Sequence, residues 1–186
     1  MRTRKSSRDA AIERMADHLL CEGLAAATLR PLAAAAGTSD RMLLYYFADK
    51  DEILSVTLHR IAERMLAQLD EALPSGKPWS FRGLMKEVWP ILTSRSFRPF
   101  MPLWLELASA AARGLQPHVQ VVGQIADGFL AWVTSRLEVE PKGNHAASAA
   151  LFLASIEGMY LLEAIGRPDL ATSAGSELVS NLRTTV

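Results

Sequence analysis

Apolar residues recur at three- and four-residue intervals through most of the chain, which is the spacing of helices that each bury one stripe. The first stripe, Ile12, Met15, Ala16, Leu19 and Leu20, predicts a helix from Arg8 to about Glu22, stopped by Gly23. A second begins after Thr28, a hydroxyl residue suited to a helix start, and carries Leu29, Leu32, Ala33 and Ala36. Pro31 falls in its first turn, where a missing amide costs little. Gly37 can take the left-handed conformation that closes this helix, and Ser39 is the expected N-cap of the next. Two short helices therefore meet across about three residues. In the later one Leu43 and Phe47 stand four apart and face inward, which turns Arg41 and Tyr45 to the opposite side, flanked by Met42 and Leu44. Asp49 and Glu52 have capping-box spacing and open a long helix with Ile53, Leu54, Leu58, Ile61, Met65 and Leu69 inside.

Pro74, Gly76 and Pro78 mark residues 73–78 as a loop or domain border. Phe81, Leu84, Met85, Val88, Trp89 and Leu92 then predict a helix capped by Ser80, with Pro90 expected to bend or end it. The stretch from Phe97 to Leu107 is dense in Phe97, Phe100, Met101, Trp104 and Leu105, while Pro99 and Pro102 limit its regularity. Another long helix is expected from about Pro117, burying Val119, Val122, Ile125, Ala126, Phe129, Leu130, Val133 and Leu137. After a break at 141–144, residues 145–165 are apolar on nearly every side, and Ala150, Ala154 and Gly158 leave a flat strip. Such a helix needs partners on two sides. Gly166 and Pro168 stop it, Asp169 is expected to cap the last helix, and Leu170, Ala174, Leu178 and Leu182 form that helix's stripe. The predicted fold class is all-α.

With 186 residues, 49% of them hydrophobic and 22% charged, the chain can bury a substantial core. Its formal net charge is +0, so any polyanion must be met by local charge. Arg2, Arg4, Lys5 and Arg8 cluster before the first stripe, and Arg30, Arg41 and Lys50 lie around the paired short helices. The N-terminal cluster reads either as a solvating tail or as an arm for a minor groove. The single Cys21 excludes an intramolecular disulfide and is expected as a small, partly buried core residue in a reducing compartment. No signal peptide is visible, and Glu157 and Glu163 interrupt the most apolar stretch, so no membrane span is expected. Catalytic motifs are missing: there is no glycine-rich phosphate loop, GxSxG elbow or HExxH pair. His59 and Glu63 stand four apart, but two ligands are too few for a metal site.

Thr28, Leu32, Ala33, Ala36, Gly37, Ser39, Leu43, Tyr46, Phe47 and Lys50 resemble, in spacing and type, the DNA-binding motif of the TetR family of transcriptional regulators. The motif proper spans residues 28–54, and the preceding helix and long helical remainder fit the family's plan. Arg41 and Leu44 depart from it: the family often has glycine or proline at the first and tyrosine at the second. Leu44 cannot donate to a phosphate, so Tyr45 or Tyr46 takes that contact.

The resemblance implies an N-terminal three-helix helix-turn-helix DNA-binding domain, residues 1–48, and a C-terminal helical ligand-binding and dimerisation domain, residues 49–186. Thr28, Ser39, Tyr46 and Lys50 are assigned to phosphates, and Arg30, Asp40, Arg41, Met42 and Tyr45 to base edges. Met85, Trp89, Phe97, Phe100, Met101 and Trp104 are the candidates to line an effector cavity; residue by residue, ordinary core is the favoured alternative, and what the resemblance implies is a cavity somewhere in this domain. Arg98, Glu106, His118 and Glu163 are candidates to orient a polar group of the effector. Ala150, Ala154, Gly158, Leu178 and Leu182 are the expected homodimer interface. The expected protein is a cytoplasmic, ligand-responsive repressor of a palindromic operator, with double-stranded DNA, a small-molecule effector and a second copy as partners. No enzyme activity, cofactor, metal or membrane partner is expected. The rival readings are a helical ligand-binding enzyme and a protein-interaction module that uses the strip at Ala150, Ala154 and Gly158.

Overall fold

The computed structural model describes residues 4–138 and 144–181, and among these residues the chain is helical throughout, with one isolated bridge between Trp79 and Leu137 in place of any strand. The helices are α1 (Arg4–Glu22), α2 (Leu29–Ala35), α3 (Asp40–Tyr46), α4 (Lys50–Ala72), α5 (Phe81–Leu92), α6 (Phe100–Ala112), α7 (His118–Thr134), α8 (His145–Ala164) and α9 (Pro168–Asn181). A short 3-10 turn, Leu24–Ala26, joins α1 to α2. The chain divides into two compact units, 1–65 with 99–125 and 66–98 with 126–186. α4 and α7 each contribute to both.

The first unit is built on the predicted stripes. Ile12, Met15, Ala16 and Leu19 of α1, Leu32 and Ala33 of α2, Leu43 of α3 and Ile53, Leu54, Leu58 and Ile61 of α4 are all buried. Gly37 has φ +69°, the left-handed turn that ends α2, and the Ser39 hydroxyl accepts from Met42 N at 3.3 Å to start α3. Thr28 stands in the extended N-cap conformation, but its hydroxyl makes no cap bond. Glu13 of α1 receives Arg60 and Arg64 of α4, and Arg64 also reaches Asp17 at 2.7 Å. The Arg64 hydrogen bond is the main reason the Glu13 carboxyl titrates below its ordinary value; desolvation opposes it and the Arg64 and Arg60 charges reinforce it. Gly23, at φ +77°, lets Glu106 of α6 approach: a Cβ there would lie 2.9 Å from Glu106 Oε1, and Glu106 Oε2 accepts from Leu24 N at 2.6 Å. Cys21 is exposed, contrary to the expectation of a partly buried core residue, because it projects from the outer face of α1.

In the second unit Leu84, Met85, Val88 and Leu92 of α5, Phe129, Trp132 and Val133 of α7, Phe152, Ile156 and Met159 of α8 and Ala171 of α9 are buried. α8 packs chiefly on α9, and both meet α5. Ser80 caps α5 as predicted, its hydroxyl accepting from Gly83 N at 3.2 Å, and Asn144 caps α8 by accepting from Ala147 N at 3.1 Å. Arg136, only 4% exposed, donates to Leu73 O at 3.2 and 3.1 Å and to Asp70 Oδ1 at 2.5 Å while stacking 4.0 Å over the Trp132 ring. It thereby satisfies one orphan carbonyl, that of Leu73, just past the end of α4.

Candidate nucleic-acid interface

The reading surface starts from the seven residues of α3. Leu43 and Phe47 are buried, at 0% and 2% exposure, and this anchoring turns Arg41, Met42, Leu44 and Tyr45 outward. Tyr45, 58% exposed, is a large aromatic side chain left in solvent beside the cation of Arg41 and the acid of Asp40. Apolar side chains exposed together on one short, well-anchored helix are unusual unless the face meets a partner. Tyr46 is half-buried and its ring meets Tyr45 edge-on at 5.7 Å. Thr28 and Arg30 at the start of α2, and Lys50 at the start of α4, are exposed. All nine predicted contact residues thus lie in the first unit, eight of them exposed.

A feature that the sequence reading missed lies behind α3. Arg8 belongs to α1, which begins four residues earlier than predicted, and it is not part of a tail. Its guanidinium sits 4.5 Å over the Phe47 ring, and it donates to Tyr46 O at 3.4 Å and to Glu52 Oε1 at 2.8 Å. The signal was present in the spacing, since Arg8 precedes Ile12 by four and Met15 by seven on the buried stripe. The capping box forms with a variation: Asp49 Oδ1 accepts from Glu52 N at 2.8 Å, while Glu52 Oε2 takes the amide of Ala48 at 2.5 Å in place of that of Asp49.

Residues 9–57 match the family model for bacterial regulatory proteins of the tetR family. The match covers the three-helix region that carries α2 and α3, so this part of the chain is similar to the tetR family's N-terminal domain. Solved structures share the fold across the whole molecule. A TetR-family transcriptional regulator from Rhodococcus sp. is 18% identical with a TM-score of 0.70, covering 94% of this chain and 99% of its own. A transcriptional regulator from Rhodococcus sp. Rha1 is 23% identical with a TM-score of 0.67 over 92% and 91%. A transcriptional regulator from Saccharomonospora viridis, in complex with choline, is 16% identical with a TM-score of 0.63 over 95% and 97%. No curated protein matches the chain. The matched family is one of bacterial regulatory proteins, and the match falls on the segment that holds the exposed face of α3.

The other predicted sites divide between the units. Met85, Trp89 and Phe97 lie in the second, and Phe100, Met101 and Trp104 in the first. Met85, Phe97, Phe100 and Met101 are buried, while Trp89 and Trp104 are half-buried. Within the second unit an open cavity of about 560 Å³ is lined by Leu66, Asp70, Pro74, Gly128, Trp132 and Arg136 among others, and by none of those six. Arg98 and Glu163 both act electrostatically on the Tyr160 phenol, whose pKa is raised first by burial and then by Glu163. Ala150, Ala154 and Gly158 are all exposed on α8, and Leu178 is half-buried on α9. Leu182 lies outside the described residues.

Proposed function

We propose that two copies of the chain bind a palindromic operator, repress transcription from it in the cytoplasm, and release it when a small apolar or amphipathic effector binds. The observation that carries the reading is the outward face of α3, where Arg41, Met42 and Tyr45 stand exposed over buried Leu43 and Phe47. Arg30, Asp40, Arg41, Met42 and Tyr45 are the proposed contacts to base edges; a guanidinium such as that of Arg41 pairs in fork geometry with guanine O6 and N7. Thr28, Ser39, Tyr46 and Lys50 are the proposed phosphate contacts, which fix register without reading sequence. The Thr28 hydroxyl, uncommitted to a cap, suits that role.

One seven-residue helix gives few contacts, so two reading heads are needed, separated by about one helical turn of DNA, roughly 34 Å, or a multiple of it. The exposed strip of Ala150, Ala154 and Gly158 on α8, with Leu178 of α9 and with Leu182, is the proposed dimer seam. Effector control follows from linkage: α4 begins beside α3 and ends in the second unit, so a molecule preferring one arrangement of the helices beyond it shifts the reading heads. The six predicted effector residues, 85, 89, 97, 100, 101 and 104, remain the proposed contacts, each within its own unit. The choline complex of the Saccharomonospora viridis protein supports a small-molecule effector for this architecture.

The experiment is selection of bound duplexes from a random pool, followed by titration of the enriched duplex against salt. A palindrome should emerge, and its affinity should fall steeply and linearly in a log–log plot of binding against salt. Enrichment of nothing, or salt-independent capture, would remove the DNA reading and leave the α8 strip as a surface for protein partners.

A further inference from the structure

We propose that Arg8 and Glu52 form a clamp that sets the angle at which α3 is carried, making both positioning residues for duplex recognition. α3 ends at Tyr46 and α4 begins at Lys50, so three residues, Phe47 to Asp49, determine how the reading helix is presented. All three are held by this pair. The Phe47 ring lies under the Arg8 guanidinium at 4.5 Å. The amide of Ala48 donates to Glu52 Oε2 at 2.5 Å, and Asp49 Oδ1 accepts from the amide of Glu52 at 2.8 Å. Arg8 closes the circuit by donating to Tyr46 O, the last carbonyl of α3, at 3.4 Å and to Glu52 Oε1 at 2.8 Å.

The two oxygens of one carboxylate thus serve different masters, α1 through Arg8 and the linker through Ala48. One guanidinium likewise joins the end of α3 to the start of α4. The side chains are 31% and 36% exposed, so the charge attraction itself is modest. What the pair supplies is direction. A planar fork over a buried ring can satisfy a carbonyl and a carboxylate together, whereas a lysine in the same place offers one flexible point charge. Neither residue is among the proposed DNA contacts, so their effect on binding runs through the pose of α3.

This inference rests on the reading of the chain as a duplex-binding protein, and the test separates the two. Arg8→Gln, Glu52→Gln, the double variant, Arg8→Lys and Glu13→Gln are compared with the parent for affinity to the selected duplex, thermal unfolding and amide exchange. Glu13→Gln loosens α1 from α4 at a point away from α3 and is the stability reference. Each single clamp variant should bind duplex about tenfold more weakly, with the double no weaker than either single because the groups act as one unit. Arg8→Lys should recover part of the loss, Glu13→Gln should keep parental affinity at a lowered Tm, and the Ala48 amide should exchange faster in Glu52→Gln. Affinity that simply follows Tm across all variants, or single losses that add in the double, would overturn the positioning role. A parent that binds duplex while Arg8→Gln binds equally well overturns it alone; a parent that binds no duplex overturns the functional reading with it.

Discussion

At the scale of single residues, Arg41 and Lys50 make opposite predictions. Arg41→Ala should change which duplexes are selected, since a fork on guanine discriminates by about 1–3 kcal/mol. An unchanged preference with general weakening would make Arg41 a phosphate contact. Lys50→Ala should weaken all duplexes alike and flatten the log–log salt slope by about one unit. Glu13 predicts a pH dependence. Its folded pKa is lowered, chiefly by the Arg64 hydrogen bond, so its stabilisation is present above the ordinary glutamate value of about 4.3 and is lost as pH falls through the lowered folded value. Denaturant midpoints of the parent should therefore fall toward acid more steeply than those of Glu13→Gln, and parallel curves would exclude the contribution. The residues facing outward on α3 were legible because Leu43 and Phe47, four apart, leave no other inner face. The place of Arg8 on the α1 stripe was legible in the spacing, but its partners were not, because Phe47 and Glu52 stand some forty positions on.

At the scale of elements, stripes and caps were readable wherever one local interaction decides the outcome, as at Ser39, Asp49, Ser80 and Asn144. Pro90 acts as expected: α5 runs only two residues past it, and the Thr93 hydroxyl takes the carbonyls of Trp89 and Pro90 at 3.0 and 3.4 Å. α9, in contrast, begins at Pro168, whose fixed φ suits a first turn, so Asp169 lies inside the helix and pairs with Arg167 instead of capping. On α7 the predicted Phe129 and Val133 are buried, as is Leu137 just past its end, but in the first turn Val119 is exposed and Val121 takes the place on the inner face. Trp132 belongs to that face because Asp70 accepts its indole N–H at 2.8 Å, a partner that apolar periodicity does not register. The same long-range logic makes Arg136 a prediction. Arg136→Met keeps the length but strands the buried Leu73 carbonyl and removes the guanidinium from Asp70, which keeps the Trp132 indole, at a cost of about 2 kcal/mol. For a chain of this size calorimetry should show Tm lower by roughly 4–8 °C. A Tm within a degree of the parent would mean that water replaces the guanidinium at no cost.

At the scale of the whole molecule, what is legible depends on whether a signal is local to one helix. The two compact units are discontinuous in sequence, 99–125 joining 1–65, and association of distant segments leaves no mark in composition at either junction. The double-sided demand of α8 does leave one, because its apolar residues encircle the helix. Phe152, Ile156 and Met159 bury one side within the second unit, while Leu151 and Leu161 on α8 are 46% and 51% exposed and Ile165, just past its end, is 64% exposed, flanking the small residues 150, 154 and 158. By length and composition α8 could also cross a membrane, but its buried side is committed to α5 and α9, which leaves a stripe suited to a second copy. Ala154 is exposed, so a longer side chain there has solvent to enter in the single subunit. Placed in a close helix seam, however, the guanidinium must be desolvated without a partner, at a cost of several kcal/mol. Sedimentation should then show a folded monomer with parental helicity. Because a lone reading head meets half the phosphates, its log–log salt slope on the selected duplex should be roughly half the parental value. A variant that sediments as a dimer and keeps the parental slope would place the seam elsewhere on the molecule.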